Sequence, residues 1–113
     1  CIVAISSAAS RIPTPGLISH NTAKSGIDGF VKSLALELGP HGIRVNAVAP
    51  GLTQTDSTAS IPQVMKDAAI GMTPLRRIAE PDDIARAILL LASSEANFIT
   101  GTYLPVSGGI QML

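Results

Sequence analysis

The chain has 113 residues, 46% hydrophobic and 14% charged, with eight Lys/Arg balancing eight Asp/Glu and only Phe30, Phe98 and Tyr103 as aromatics, so it offers neither the basic footprint nor the base-stacking platform of a nucleic-acid binder. One cysteine excludes an internal disulfide, two histidines at positions 20 and 41 give no metal-ligand spacing, and no apolar run approaches the roughly eighteen residues of a membrane span. A cytoplasmic protein is the expectation, and the apolar excess of so short a chain, with Cys1 opening directly on an apolar run, reads as a fragment that buries surface against something outside it.

Ile2 to Ile5 is a short apolar run closed by Ser6-Ser7, the pattern of a strand buried on both faces in a parallel sheet. Arg11 to Gly16, with Pro13 and Pro15, is a loop. From Leu17 onward Ile27, Phe30, Val31, Leu34 and Leu38 recur at helical spacing until Gly39-Pro40 supplies a stop, which predicts a long helix over Leu17 to Leu38. Ile43 to Ala49 is a second strand, closed by Pro50-Gly51. Leu52 to Ala79 has mixed polarity and interrupting prolines, the character of a functional lid, with one short helix around Pro62 to Ile70. Pro81 suits a first helical position, Asp82 and Asp83 favour the positive end of the helix dipole, and Ile84, Ile88, Leu91 and Ala92 carry the face on, giving a helix from Pro81 to Ser94. Beyond Gly101 a last strand follows, in which Pro105 argues for an edge or irregular position. The order β-α-β-lid-α-β belongs to an α/β protein with an open parallel sheet.

In such a sheet, ligands bind where loops leave the carboxyl edge of the strands. Ser7 after the first strand, His20 and Lys24 on the next helix, and Pro50-Gly51 after the second strand would share that edge. Residues four apart on a helix share a face, so the imidazole and the ammonium are expected to point into the same space. Taken singly, each has an ordinary reading: Ser7 a strand-end serine, Lys24 a solvated helix lysine, His20 a surface histidine, Pro50-Gly51 a turn, and Thr53 and Thr55 loop polar residues. Phe30, Val31, Leu34 and the stripe from Ile84 to Leu91 read as core or subunit interface.

The joint pattern is more specific than its parts. Ser7 stands thirteen residues before His20, and the stretches "AKSGIDGFVKSLALELGPHGIRVNAVAPG", "PLRRIAEPDDIARAILLLAS" and "ITGTYLPVSGG" follow in order. With them the chain resembles the C-terminal half of a short-chain dehydrogenase/reductase, close to the 3-oxoacyl-acyl-carrier-protein reductase type. The resemblance implies a Rossmann-like doubly wound parallel sheet, of which this chain supplies the last three strands and two long helices as one portion of a single domain. It implies that Ser7 hydrogen-bonds a substrate carbonyl, that Lys24 lowers the pKa of a proton-donating tyrosine and holds the nicotinamide ribose, and that Pro50, Gly51, the backbone at Thr53 and the hydroxyl of Thr55 contact the nicotinamide half of NAD or NADP.

Three departures from the family pattern stand out. The motif Tyr-x-x-x-Lys is His20-x-x-x-Lys24 here; the sole tyrosine is Tyr103, on the last strand, and the position used by the family's enoyl reductases, seven before the lysine, is Leu17. Histidine is a capable general acid, but a neighbouring ammonium disfavours imidazolium and the ring is shorter than a phenol. Carbonyl reduction is therefore expected to fall on the order of 10²–10⁴-fold where the general-acid contribution is lost. Second, no Gly-x-x-x-Gly-x-Gly or Gly-x-Gly-x-x-Gly occurs among the ten glycines, so the adenosine half of the cofactor site is expected to be missing. Third, Ser107 stands where the family commonly has Asp before two glycines.

The resulting expectation is an NAD(P)-dependent oxidoreductase that transfers hydride between the nicotinamide and a small-molecule ketone or alcohol, a 3-oxoacyl thioester among the candidates. It would assemble as a homodimer or homotetramer, with no metal, nucleic acid or membrane, and this chain alone would be inactive. The rival is a truncated or degenerate, non-catalytic homologue that persists as an oligomerisation module.

Overall fold

In the computed structural model, residues 1–112 are described. Strand β1 spans Ile2–Ile5, helix α1 Ile18–Leu38, strand β2 Val45–Pro50, helix α2 Gln63–Met72, helix α3 Pro81–Ala92 and strand β3 Tyr103–Val106. The three strands form one parallel sheet in the order β1-β2-β3. Ile5 pairs with Val48 and Pro50 with Val106, so the chain leaves all three strands at one carboxyl edge.

β2 is the central strand and is buried along its length, from Val45 to Ala49. Side chains alternate across a sheet, so burial of every position requires cover on both faces. On one face Val45 and Ala47 pack with Val31 and Ala35 of α1, ringed by Ala4, Ile27, Leu34, Leu38 and Ile43. α3 lies against the sheet as well and buries Leu91. The doubly wound α/β expectation is met. The burial expected of the first strand is not: Ile2 and Ile5 of β1 are 38% and 41% exposed. β1 is an edge in this chain, and the continuous apolar run that marks a two-face-buried strand is realised by its neighbour β2 instead.

α1 begins one residue later than its pattern suggested and ends at Leu38 before Gly39-Pro40, as expected. Those residues continue as a 3₁₀ turn, Gly39–His41, and Gly42 ends it in the left-handed region with φ +72°. The second strand is shifted to Val45–Pro50, because Ile43 and Arg44 form the approach, where Arg44 donates to the carbonyls of Ile99 and Ser93. Asn46, fully buried, donates to the Ile99 carbonyl at 2.9 Å and accepts from the Thr102 N–H at 3.0 Å, pinning the segment that leads into β3.

The excursion after β2 is pinched at its base. Thr53 and Ala79 form an isolated parallel bridge, with Gln54 N–H donating to the Ala79 carbonyl and Ala79 N–H to that of Leu52. α2 lies within it, two residues longer at its end than the Pro62 to Ile70 reading. α3 ends at Ala92 rather than Ser94, where Ser93 turns extended and Ser94–Ala96 forms a 3₁₀ turn. Pro105 sits within β3 opposite Ala49, on an edge strand, where a missing N–H is tolerated.

Candidate active site

A cleft of about 540 Å³ opens at the carboxyl edge of the sheet, and Ser7, His20, Lys24, Pro50, Gly51, Thr53 and Thr55 all line it. Each is placed by a local cause. β1 ends at Ile5, and Ser7, extended at φ −159° and ψ 154°, starts a 3₁₀ turn over Ala8–Ser10 by accepting the Ala9 N–H on its Oγ at 3.2 Å. His20 lies in the first turn of α1, and its Nε2 stands 3.3 Å from the Ser7 Oγ. One turn on, the Lys24 Nζ donates to the Ile5 carbonyl at 2.8 Å, tying α1 to the last residue of β1. An ammonium has three N–H donors, so this bond leaves two for other acceptors.

Gly51 is glycine for a packing reason visible only in three dimensions. A β-carbon there would stand 3.0 Å from the Ser107 Cα and 3.1 Å from its Cβ, so the backbone where β3 leaves the sheet would have to shift to admit one. The Thr53 hydroxyl donates to the Gly51 carbonyl at 3.1 Å, folding the strand exit back on itself. Thr55 caps the short turn Asp56–Thr58 reciprocally with Thr58, so its hydroxyl already has a local partner. The opposite wall is apolar: Ile84, Ala85 and Ile88 of α3 face the cleft. The Ile84 to Leu91 stripe therefore divides, with Leu91 in the core and Ile84 and Ile88 on the cleft wall.

Behind the cleft lies a polar network that sequence reasoning missed. Ser6 and Ser10 both donate to the Asp28 carboxylate, the second at 2.7 Å, and Arg11 Nε lies 3.6 Å from the same carboxylate. The Arg11 guanidinium stacks on the Tyr103 ring at 3.6 Å from its centroid. The Tyr103 hydroxyl reaches the Ser7 carbonyl at 3.0 Å and Gln111 Oε1 at 3.2 Å. Tyr103 thus touches Ser7 without lining the cleft. Only Asp28, at the helical spacing of four from Lys24, had any local clue in the sequence; contacts between residues about a hundred positions apart have none.

Among the described residues no three His, Cys, Asp or Glu side chains gather as a metal-binding group, and no helix is long and apolar enough to cross a membrane. A lysine with donors to spare, the Ser7 hydroxyl and an apolar wall of Ile84, Ala85 and Ile88 are the groups of this cleft that would hold the nicotinamide-ribose end of a dinucleotide. No glycine-rich turn for a pyrophosphate is present in the sequence.

A family model described as enoyl-(acyl carrier protein) reductase matches residues 1–111. A crystal structure of a short-chain dehydrogenase/reductase, glucose/ribitol dehydrogenase, from Brucella melitensis superposes with a TM-score of 0.94 at 33% identity over 99% of this chain. The chain belongs to the short-chain dehydrogenases/reductases. Within that family it is 39% identical over 111 residues to the 3-oxoacyl-acyl-carrier-protein reductase FabG of Pseudomonas aeruginosa. It is 45% identical over 107 residues to a 3alpha-hydroxysteroid dehydrogenase of Mediterraneibacter gnavus. The two matches take in 98% and 95% of this chain but 45% and 43% of those relatives, and the match to the Brucella structure takes in 45% of that chain.

Proposed function

We propose that residues 1–113 form the C-terminal portion of a single short-chain dehydrogenase/reductase domain, and that the full-length protein is a cytoplasmic NAD- or NADP-dependent oxidoreductase acting on a ketone or alcohol, a 3-oxoacyl thioester among the candidates. The observation that carries this reading is the convergence of Ser7, His20, Lys24, Pro50, Gly51, Thr53 and Thr55 on one cleft at the carboxyl edge of the sheet. The nicotinamide, when bound, supplies or takes up the hydride. Ser7 holds the substrate oxygen, Lys24 holds the ribose hydroxyls, and His20 fills the place from which a proton reaches that oxygen. The C=O bond is favoured over C=C as the reacting group, because Leu17 stands where the family's enoyl reductases keep their tyrosine.

Within this reading His20 is a poor proton donor. Its ring reaches Ser7 only at 3.3 Å, and an imidazole is too short to replace both the position and the reach of a phenol. In the full-length protein, His20→Tyr is expected to raise carbonyl reduction on the order of 10²-fold or more, His20→Phe to change it little, and Lys24→Ala to weaken cofactor binding. Steady-state kinetics with NADPH and a 3-oxoacyl thioester measure all three. Abolition of a robust activity by His20→Phe would make histidine the working acid and overturn this assignment.

One observation favours the rival of a non-catalytic assembly module: α1 and α3 leave Phe30, Leu36, Leu89 and Leu90 more than half exposed. Carbonyl reduction by the wild-type full-length protein that is lost in Ser7→Ala would remove that rival, since a non-catalytic module has no turnover to lose.

A further inference from the structure

The Ser7 hydroxyl, 3.3 Å from the His20 Nε2, sits on the chain segment from Ile5 to Ser10, and that segment is held from two sides. α1 holds it from one side through Asp28, Lys24 and Ser25, the last donating to the Ser10 carbonyl at 2.9 Å. From the other side it is held by β3 and the turn that follows. The Tyr103 hydroxyl donates to the Ser7 carbonyl, and Gln111 Nε2 donates to the next carbonyl, that of Ala8, at 3.1 Å. Two consecutive carbonyls, which also accept the N–H groups of Ser10, Arg11 and Ile12 within their own turn, are thus tied to β3 and its following turn by two side chains that do not line the cleft.

The Gln111 amide can satisfy this arrangement in only one orientation. Its N–H must face the Ala8 carbonyl, which leaves Oε1 toward the Tyr103 hydroxyl, whose single proton is shared between Oε1 and the Ser7 carbonyl. Gln111 is 4% exposed, so an unmet amide there would be expensive, and the turn delivers it with little freedom. Gly108 and Gly109, at φ +62° and +90°, reverse the chain, and the Ser107 Oγ accepts the Gln111 N–H at 3.3 Å.

We infer that Tyr103 and Gln111 are positioning residues for the Ser7 hydroxyl, acting through the Ser7 and Ala8 carbonyls to hold it against His20. Losing these bonds releases the Ser7–Ala8 backbone from β3, and a shift of the Ser7 Cα carries its hydroxyl away from the imidazole while the cleft lining stays chemically unchanged. The catalytic consequence rests on the function proposed above; the coupling to His20 does not.

Tyr103→Phe removes the hydroxyl and keeps the ring under Arg11, and Gln111→Ala removes the amide without touching β3. In protein labelled with ¹⁵N-histidine, both variants are expected to move the His20 Nε2 resonance toward its position in Ser7→Ala, with the far-ultraviolet circular dichroism unchanged. In the full-length protein each is expected to lower kcat by about tenfold, with the cofactor KM within about twofold. A His20 resonance that stays at its wild-type position in folded Tyr103→Phe and Gln111→Ala overturns the inference, whatever the activity. A resonance that moves in a protein with no NAD(P)H-linked activity upholds the positioning role and overturns the proposed function alone.

Discussion

At Gly108 a left-handed backbone and a crowded neighbour coincide: φ is +62° and a β-carbon would stand 2.7 Å from Thr73 Cγ2. Gly42 shares the first condition, at φ +72°, and lacks the second, with nothing within 4 Å. The pair separates backbone strain from steric exclusion. Gly42→Ala is expected to cost about 1 kcal/mol, and Gly108→Ala about 1–3 kcal/mol more once Thr73 must move, as read from the midpoints of urea denaturation. Equal losses would show that the Thr73 side of the turn yields freely. The site residues legible in the sequence are those whose placement follows from local geometry. Ser7 ends a strand, His20 and Lys24 lie one turn apart on a helix, and Pro50-Gly51 ends the next strand. Tyr103 is legible in the sequence as a residue of the last strand and nothing more, because nothing along the chain encodes which residue it meets in the fold. Its hydroxyl nonetheless lies 3.0 Å from the Ser7 carbonyl.

Among the elements, α3 carries the strongest local instructions. Pro81 opens it, Asp83 accepts the Glu80 N–H at 2.8 Å, and Arg77 binds the same carboxylate through two nitrogens at 2.6 and 2.8 Å. The Arg77 guanidinium foremost, and the Glu80 N–H after it, hold the Asp83 carboxyl well below the usual carboxylate range. A carboxyl whose folded value lies below its unfolded one contributes stability that is complete well above the unfolded value of 3.8 and is lost as the pH falls toward the folded value. Thermal melts should therefore find the gap in Tm between wild type and Asp83→Asn widest near neutral pH and closing in acid below about pH 3. A gap independent of pH would mean that the hydrogen-bonding shape of the side chain, and not its charge, sets the helix start. The start of α3 is legible in the sequence because capping is local. The burial of β1 is not, since an apolar run states that burial is wanted and not which neighbour provides it.

On the scale of the whole molecule, apolar surface is left over. Phe98 is fully exposed, and Leu36 and Ile18 on α1 and Leu89 on α3 are each more than two-thirds exposed. Scattered singly such residues need no explanation, but faces of this kind on two long helices point to burial against another chain. Sedimentation velocity at micromolar concentration is expected to show self-association; a monodisperse, well-folded monomer would count against it. The same chain, without a pyrophosphate cradle among its residues, is expected to bind NADPH weakly in calorimetric titration, and stoichiometric low-micromolar binding would contradict that. The all-parallel sheet, finally, has a consequence in time. No strand pairs with its neighbour through a hairpin, and the Ser7 carbonyl waits for a tyrosine 96 residues downstream. At translation rates of about 5–20 residues per second, that wait lasts roughly 5–20 seconds. During it α1, β1 and β2 can emerge from the ribosome and pair, while the serine they carry is still unclamped on one side. On the positioning role inferred for Tyr103, Ser7 is held from both sides only after β3 has been made.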